Sequence, residues 1–205
     1  ADEAPQYDRK WKKFKVKKNN FKIKDLKKIK TEEALFKILS SPDHSNKSWI
    51  TDQYDQVVMC DTIQKSGGDA AVVRVHKKEK AISISVDSSA NYCVADPRTG
   101  GKQIVCENWR NLISVGSKPL AITNCLNFGN PEKPEVMGEF VECIEGMKEA
   151  CEFLDYPVVS GNVSFYNETN SKSIFPTPVI GGIGIFDNLN RIIDMKTKKT
   201  GNIII

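Results

Sequence analysis

Residues 121–154, AITNCLNFGNPEKPEVMGEFVECIEGMKEACEFL, carry the chain from a strand into a helix without interruption, and the other elements can be placed around them. Pro119–Cys125 is apolar and short enough for a buried strand. Asn124 to Pro134 then gathers Asn, Gly and Pro, the chemistry of a turn, and opens a helix whose first N–H groups are free to meet an anion. From Pro134 to Leu154 the apolar residues Val136, Phe140, Ile144, Met147, Cys151 and Leu154 return every three or four positions, which predicts one long helix with one buried stripe.

Upstream, Val57–Ile63 and Ala70–His76 are β-branched runs separated by Lys65-Ser66-Gly67-Gly68-Asp69, and Ala81–Val86 alternates Ile82, Ile84 and Val86 with Ser83 and Ser85. Three strands are expected there. Ile104, Val105, Trp109, Leu112 and Ile113 recur at helical spacing between Gly101 and Val115, and Gly116 supplies a stop. Downstream, Pro157–Ser160, Val163–Tyr166 and Pro178–Phe186 read as strands. The order β-β-β-α-β-α-β-β specifies an α+β fold, a two-layer mixed sheet with helices on one face. The other face of such a sheet needs cover, so the domain is expected to pair with a like domain.

Residues 1–45 read as a Lys-rich lead-in with one short helix, where Leu35, Phe36, Ile38 and Leu39 follow Thr31-Glu32-Glu33 and Ser41-Pro42-Asp43 ends it. Residues 46–186 form the compact domain. Residues 187–205 look like the start of a further domain, because Asn202-Ile203-Ile204-Ile205 begins an apolar strand as the chain stops, an expectation of truncation.

The chain has 205 residues, 40% hydrophobic and 27% charged, the balance of a globular protein. It lacks a run of roughly 18 apolar residues and a basic-then-apolar leader, so no membrane role and a cytoplasmic address are expected. Its six cysteines stand singly, without a Cys-x-x-Cys pair, and read as reduced, packed thiols. The net charge of +4 is concentrated: residues 9–30 hold twelve Lys or Arg against Asp25 alone, a local +11. Such a run can neutralise phosphates, but without a recognisable nucleic-acid module a solvated tether is the stronger reading.

His44, in the lead-in, and His76, at a strand end, are the only histidines, so no nucleophile with a base is assembled and a hydrolytic triad is not expected. Asp69 and Asp87 lie at strand ends, where carboxylates serve magnesium held against a triphosphate. The most unusual stretch is Pro157-Val158-Val159-Ser160-Gly161-Asn162-Val163-Ser164-Phe165-Tyr166-Asn167-Glu168-Thr169, a strand running straight into neutral polar residues. There an Asn oxygen can ligate magnesium, a Gly amide can bond a phosphate and a Ser hydroxyl can orient a substrate, although a polar turn network uses the same residues.

These two dense stretches, with Tyr92-Cys93, Asp96-Pro97, Gly100-Gly101, Arg110-Asn111-Leu112 and Gly116-x-Lys118-Pro119 between the earlier strands, resemble the phosphoribosylformylglycinamidine synthases of the subunit II type. The resemblance runs the whole chain, from Asp2-Glu3-Ala4-Pro5-x-Tyr7-Asp8-Arg9 through Gln53-Tyr54-Asp55. It implies a fold akin to the N-terminal domain of aminoimidazole ribonucleotide synthetase, here the first domain of the second half of a two-half subunit. It also implies an ATP-dependent ligase of purine biosynthesis that takes ammonia from glutamine and phosphorylates the amide oxygen of formylglycinamide ribonucleotide. Partners would be the rest of the subunit, a glutaminase subunit and a small bridging subunit, with a homodimer open to the isolated domain.

Carried over by position, the resemblance puts Gly161 at ATP, Asn162 at Mg2+ and Ser164 at the ribonucleotide. Asn124 stands where the family usually has an ATP-contacting Asp, and Asn91 where an Arg is common. The family's catalytic histidines belong to the other half, so no catalytic residue is assigned and the fragment alone is expected not to turn over. The competing expectation is a non-catalytic scaffold, in which the open sheet face pairs with a like domain and Asn124 marks a degraded nucleotide site.

Overall fold

The computed structural model describes residues 3–16, 22, 24, 28–196 and 199–201. Part of the basic run 9–30 and all of residues 202–205, on which the strand expectation rested, lie outside that set. The elements in chain order are α1 (Thr31–Leu39), α2 (Ser48–Thr51), β1 (Thr62–Gln64), β2 (Ala71–Arg74), β3 (Ala81–Ser88), α3 (Ala90–Ala95), α4 (Pro97–Ser114), β4 (Lys118–Asn127), α5 (Pro134–Leu154), β5 (Val158–Ser164), β6 (Glu168–Thr169), β7 (Lys172–Ser173) and β8 (Thr177–Phe186).

One six-stranded sheet runs β1-β2-β3-β8-β4-β5, and β6 and β7 make a separate small hairpin. All neighbours in the large sheet are antiparallel except β4 and β5. A parallel pair needs a crossover, and α5 is that crossover. The fold is therefore the expected α+β mixed sheet with helices on one side. Among the described residues no helix is long and apolar enough to cross a membrane.

Several boundaries differ from the sequence reading, each for a local reason. The expected strand Val57–Ile63 shrinks to Thr62–Gln64, because Met59 and Cys60 turn to φ 58 and break the extended run. The helix expected from Gly101 begins at Pro97: the Asp96 carboxylate accepts from Thr99 N–H at 3.2 Å and Thr99 Oγ1 at 2.7 Å, an N-cap followed by Pro at the first position. The two strands Pro157–Ser160 and Val163–Tyr166 are one, Val158–Ser164, running straight through Gly161 and Asn162. α1 forms as expected, but Leu35, Phe36, Ile38 and Leu39 all remain exposed.

The buried stripe of α5 is also rotated from the expected one. Ile144 is 36% exposed, while Gly138, Glu142, Cys143 and Gly146 are buried beside Val136 and Met147. The cause is α4. A Cβ added at Gly101 would overlap the Cys143 carbonyl, and one at Gly146 would overlap the Arg98 carbonyl. Glycines thus let the two helices touch backbone to backbone, and Arg98 spans the seam with hydrogen bonds to Glu142 at 3.1 Å and Glu149 at 2.8 Å.

The sheet presents its small residues to this helical layer. Ala81, Ser83 and Ser85 of β3 are buried, whereas Ile82, Ile84 and Val86 on the opposite face are 36%, 43% and 69% exposed. Beneath α4 lies a polar network. Asn108, fully buried, donates to Ser85 O at 3.1 Å and to Asp87 Oδ2 at 2.7 Å, and its Oδ1 accepts from the Tyr156 hydroxyl at 2.7 Å. Asn111 donates to Asp87 Oδ1 at 2.7 Å. Burial, and then the nearby Asp87 charge, raise the pKa of Tyr156, which keeps its phenol protonated as the donor. Ser83 and Ser117 join by a 2.6 Å bond, and Ser117 donates on to Leu112 O. Every partner in this chain is buried or half-buried, so each hydrogen bond stands against the loss of water.

Gly182 and Gly184 of β8 provide the room for these groups. A Cβ at Gly182 would overlap both Asn108 Oδ1 and Tyr156 Oη, and one at Gly184 would overlap Ser117 Oγ. Gly182→Ala should therefore lower stability by about 1–3 kcal/mol, the usual range for overpacking. Gly181→Ala points to the other face, where its nearest neighbour is Thr123 Cγ2 at 3.2 Å, and should cost clearly less. Urea unfolding of both variants checks this, and equal losses would contradict the packing described.

Candidate functional site

β4 and β5 run side by side and pair Asn124 with Gly161, Cys125 with Asn162 and Asn127 with Ser164. The two dense stretches of sequence are thus neighbours at one edge of the sheet, β5 being its last strand. Alternation along the strands then sorts their side chains. Gly182 faces α4, so Gly181 and its partner Thr123 face the opposite, outer side. Thr123 Oγ1 shares a 2.8 Å hydrogen bond with Ser160 Oγ, which places Ser160, Asn162 and Ser164 on that outer side as well. Asn124 and Gly161 take the inner side with Ile122 and Leu126.

A depression of ≈ 460 Å³ opens on the outer face, from Val86 and Gly181 across Thr123 to Ser160 and Asn162. Its floor is apolar at the β3 end and neutral-polar at the β5 end. A Cβ at Gly161 would overlap Asn124 Oδ1, so any larger residue there must displace the Asn124 side chain. Every residue from Val158 to Val163 is exposed, and β5 has no neighbouring strand beyond it.

The donor set decides what this edge can hold. Asn162, Ser160 and Thr123 offer hard, uncharged oxygens. Among the described residues no three His, Cys, Asp or Glu side chains gather as a metal cluster. A bare divalent cation would find no compensating charge here. A magnesium ion arriving with polyphosphate brings that charge itself and needs only one or two protein oxygens, so the residues present fit a nucleotide-borne metal.

Asp69 and Asp87 do not join the group. Asp69 is exposed in the turn before β2, with β3 and β8 between its strand and β4. Asp87 sits on the helical side, where Asn108, Asn111 and Ser85 engage its two oxygens. The start of α5, expected as an anion site, carries Glu135 in its first turn and is crossed by the N-terminal segment: Lys12 N–H donates to Pro134 O at 2.9 Å and Lys12 Nζ meets Glu135 at 2.6 Å.

Beyond Ser164 the chain turns tightly, with Tyr166 at φ 61, and is tied to the loop that enters α5. Phe128 N–H donates to Ser164 O at 3.0 Å, and Tyr166 N–H to Gly129 O at 3.0 Å. The Glu168 carboxylate accepts from Lys133 Nζ at 2.7 Å, Ser173 Oγ at 2.6 Å and Asn130 N–H at 3.2 Å. Lys133 first, then Ser173, pull its pKa down to about 2. Sequence reasoning did not single out Glu168 as a clamp or Thr123–Ser160 as a pair. The Thr123–Ser160 pair follows from the β4–β5 register, which the sequence states only once β5 is known to be continuous through Gly161, and the Glu168–Ser173 contact from the β6–β7 pairing.

Residues 67–186 match the family described as AIR synthase related protein, N-terminal domain. The phosphoribosylformylglycinamidine synthase subunit PurL of Pelagibacter ubique (strain HTCC1062) is 58% identical over 206 residues, covering 100% of this chain and 28% of that protein. Among solved structures, PurLQS from Thermotoga maritima superposes with a TM-score of 0.69 at 34% identity, covering 88% of this chain and 28% of that one. T. maritima PurL complexed with ATP gives 0.65 at 34% identity over 88% and 28% of the two chains. The same protein complexed with FGAR gives 0.65 at 38% identity over 74% and 25%. This chain spans little more than a quarter of the length of the curated relatives it matches.

The Glu168 clamp has a defined pH signature. An unfolded glutamate titrates near about 4.3, above the folded value, so the clamp's contribution is complete above that pH and is lost as pH falls towards about 2. Glu168→Gln should flatten the fall in unfolding temperature between those two pH values. Thermal melts of both proteins across the acid range check it, and parallel curves would remove the clamp.

Proposed function

We propose, because this chain belongs to the AIR synthase related family through its N-terminal domain, that it is the ATP-handling sheet domain of the second half of a phosphoribosylformylglycinamidine synthase subunit. In this reading residues 46–186 are the domain itself, 1–45 a lead-in and 187–205 the start of a further domain. The reaction of the whole subunit is ATP-dependent conversion of formylglycinamide ribonucleotide, with ammonia from glutamine, to formylglycinamidine ribonucleotide, ADP and phosphate, in the cytoplasm. The observation that carries the reading is that the ATP, metal and substrate positions of the resemblance, Gly161, Asn162 and Ser164, lie on one edge strand whose pairing sets Gly161 against Asn124 of β4.

Each residue has a distinct task. Gly161 lets the strand approach a phosphate without a side chain in the way. Asn162 offers its carboxamide oxygen to a magnesium ion, which when bound neutralises phosphate charge during transfer. Ser164 orients the ribonucleotide by its hydroxyl. Asn124, beside Gly161 on the inner side, contributes a hydrogen bond in place of a charge. Asp87 is committed to Asn108 and Asn111, and we assign it to holding the sheet on α4; Asp69 reaches a ligand only from the far side of β3. This chemistry works by positioning and electrostatics, and the groups that move protons lie in the remaining domains.

Ile82, Ile84 and Ile183 are 36%, 43% and 46% exposed on the outer face and give it a reason to be covered, each contributing roughly 0.5–1.4 kcal/mol when that remainder is buried. We assign that cover to a like sheet domain of the same subunit, or to a second copy when the chain is alone. The glutaminase and small bridging subunits would attach to the assembled subunit. A scaffold reading, pairing without nucleotide, draws support from the uncharged Asn124 on the inner side.

Mg-ATP separates the two. At about 100 times its dissociation constant it should stabilise the chain by roughly 2.7 kcal/mol in thermal unfolding. Asn162→Ala should abolish the dependence on magnesium. Gly161→Ala, whose methyl collides with Asn124, should weaken binding about tenfold, or roughly 1.4 kcal/mol. No shift at millimolar Mg-ATP would favour the scaffold.

A further inference from the structure

The loop of residues 128–133, between β4 and α5, is gripped from two sides. On one side stands the turn that follows Ser164. Phe128 N–H donates to Ser164 O and Tyr166 N–H to Gly129 O, both at 3.0 Å. Asn167 gives its main-chain N–H to Phe128 O at 3.2 Å, and its carboxamide donates to Ser164 O at 2.9 Å and to Phe128 O at 3.0 Å. Glu168 adds Asn130 N–H and Lys133 Nζ. The place of Ser164 therefore depends on the place of the loop. Tyr166 is held at φ 61, a conformation that an aromatic residue keeps only while its surroundings enforce it, so the turn can relax once the loop is released.

On the other side lies the lead-in. Lys12 N–H donates to Pro134 O at 2.9 Å, and the Lys12 carbonyl rests on Gly138, where any Cβ would overlap it. A groove of ≈ 740 Å³ opens between residues 12–15 and the first turns of α5 at Glu135 and Glu139. Among the described residues, the seat at Pro134 and Gly138 is thus where the main chain of the segment meets the helix. A side-chain link runs alongside: Glu132 Oε1 accepts from Arg9 Nη1 and from Tyr166 Oη, both at 3.3 Å. Glu132 and Tyr166 are exposed, so this link is the weaker of the two.

We propose that the lead-in is a strap that positions Ser164: seated on Pro134 and Gly138, it holds the entrance to α5 in place, and that entrance holds the turn after Ser164. The inference rests on the reading that Ser164 touches the ribonucleotide. Gly161 and Asn162 are outside its reach, because they are paired with Asn124 and Cys125 within the sheet. The strap acts on the substrate end of β5 and spares the nucleotide end.

Amide hydrogen exchange of the full chain tests the strap directly, in wild type and in Gly138→Ala, Lys12→Pro and Lys12→Ala. Alanine is a better helix former than glycine, so Gly138→Ala favours α5 itself and acts through the carbonyl it displaces. Lys12→Pro removes the N–H that meets Pro134, and Lys12→Ala keeps it. Exchange at the Tyr166 and Asn167 amides should be about tenfold faster in Gly138→Ala and in Lys12→Pro, roughly the loss of one main-chain hydrogen bond. In Lys12→Ala it should stay within about twofold of wild type, as should the amides of β3 and β8 in all three variants. Unchanged exchange at Tyr166 and Asn167, or an equal acceleration throughout β3 and β8, would overturn the inference. Gly138→Ala and Lys12→Pro each decide it alone if the other does not fold. In the complete synthetase Gly138→Ala should also raise KM for formylglycinamide ribonucleotide about threefold or more and leave KM for ATP within about twofold. An equal rise in both overturns the selective action on Ser164. Faster exchange at the turn with KM for the ribonucleotide unchanged supports the strap and removes Ser164 from the substrate, which is a failure of that assignment alone.

Discussion

The close approach of α4 to β3 and β8 is the constraint on which the rest of the molecule depends. Asn108 lies between helix and sheet, with its amide nitrogen and its oxygen both in use. No larger side chain fits on the strands beneath it, so that face is built from Ala81, Ser83, Ser85, Gly182 and Gly184. Next to this contact the large residues Ile82, Ile84 and Val86 of β3 and Ile183 of β8 are left for the opposite face, while Ile180 and Phe186 of β8 join the core to either side. A strand such as β3, which buries its serines and exposes its isoleucines, is intelligible only if that second face has cover of its own. Satisfying a buried amide thus decides which surface is left to be covered.

The same sheet explains why the candidate site lies at its edge. β5 is joined to β4 by a crossover and has no neighbour beyond it, so its backbone and side chains are accessible on both sides. Gly161 and Asn124 use the inner side, Asn162 and Ser164 the outer one. An interior strand has both of its edges paired and could not present residues 161–164 in this way. The tight turn after β5, held through Asn167 and Glu168, keeps the end of the strand from fraying.

Much of this was legible in the sequence, and the remainder was not for identifiable reasons. The strand–helix order and the long α5 follow from periodicity, and the polar stretch 157–169 announces itself by placing Asn and Ser in a strand. Asn108 was not legible, because an Asn within a helical pattern reads as solvent-facing, and only a facing Gly182 makes room to bury it. The rotated stripe of α5 has the same origin, since glycine contacts carry no hydrophobic signal. Ser83 and Ser85 are ambiguous by alternation alone: the pattern gives two faces and does not say which one the helices choose. The roles proposed for Gly161, Asn162 and Ser164 rest on resemblance, and their geometry on register.

The N-terminal segment crosses α5 where Gly138 allows it: any Cβ at that position would overlap the Lys12 carbonyl. Lys12 N–H is bonded to Pro134 O, while the ion pairs of Arg9 with Glu132 and Lys12 with Glu135 lie largely in solvent, where such pairs contribute little. The route of this segment is therefore encoded in main-chain atoms and in one missing methyl group. Its lysines can be traded for other hydrophilic residues during evolutionary drift without rerouting the polypeptide, whereas the glycine opposite them cannot be exchanged on the same terms.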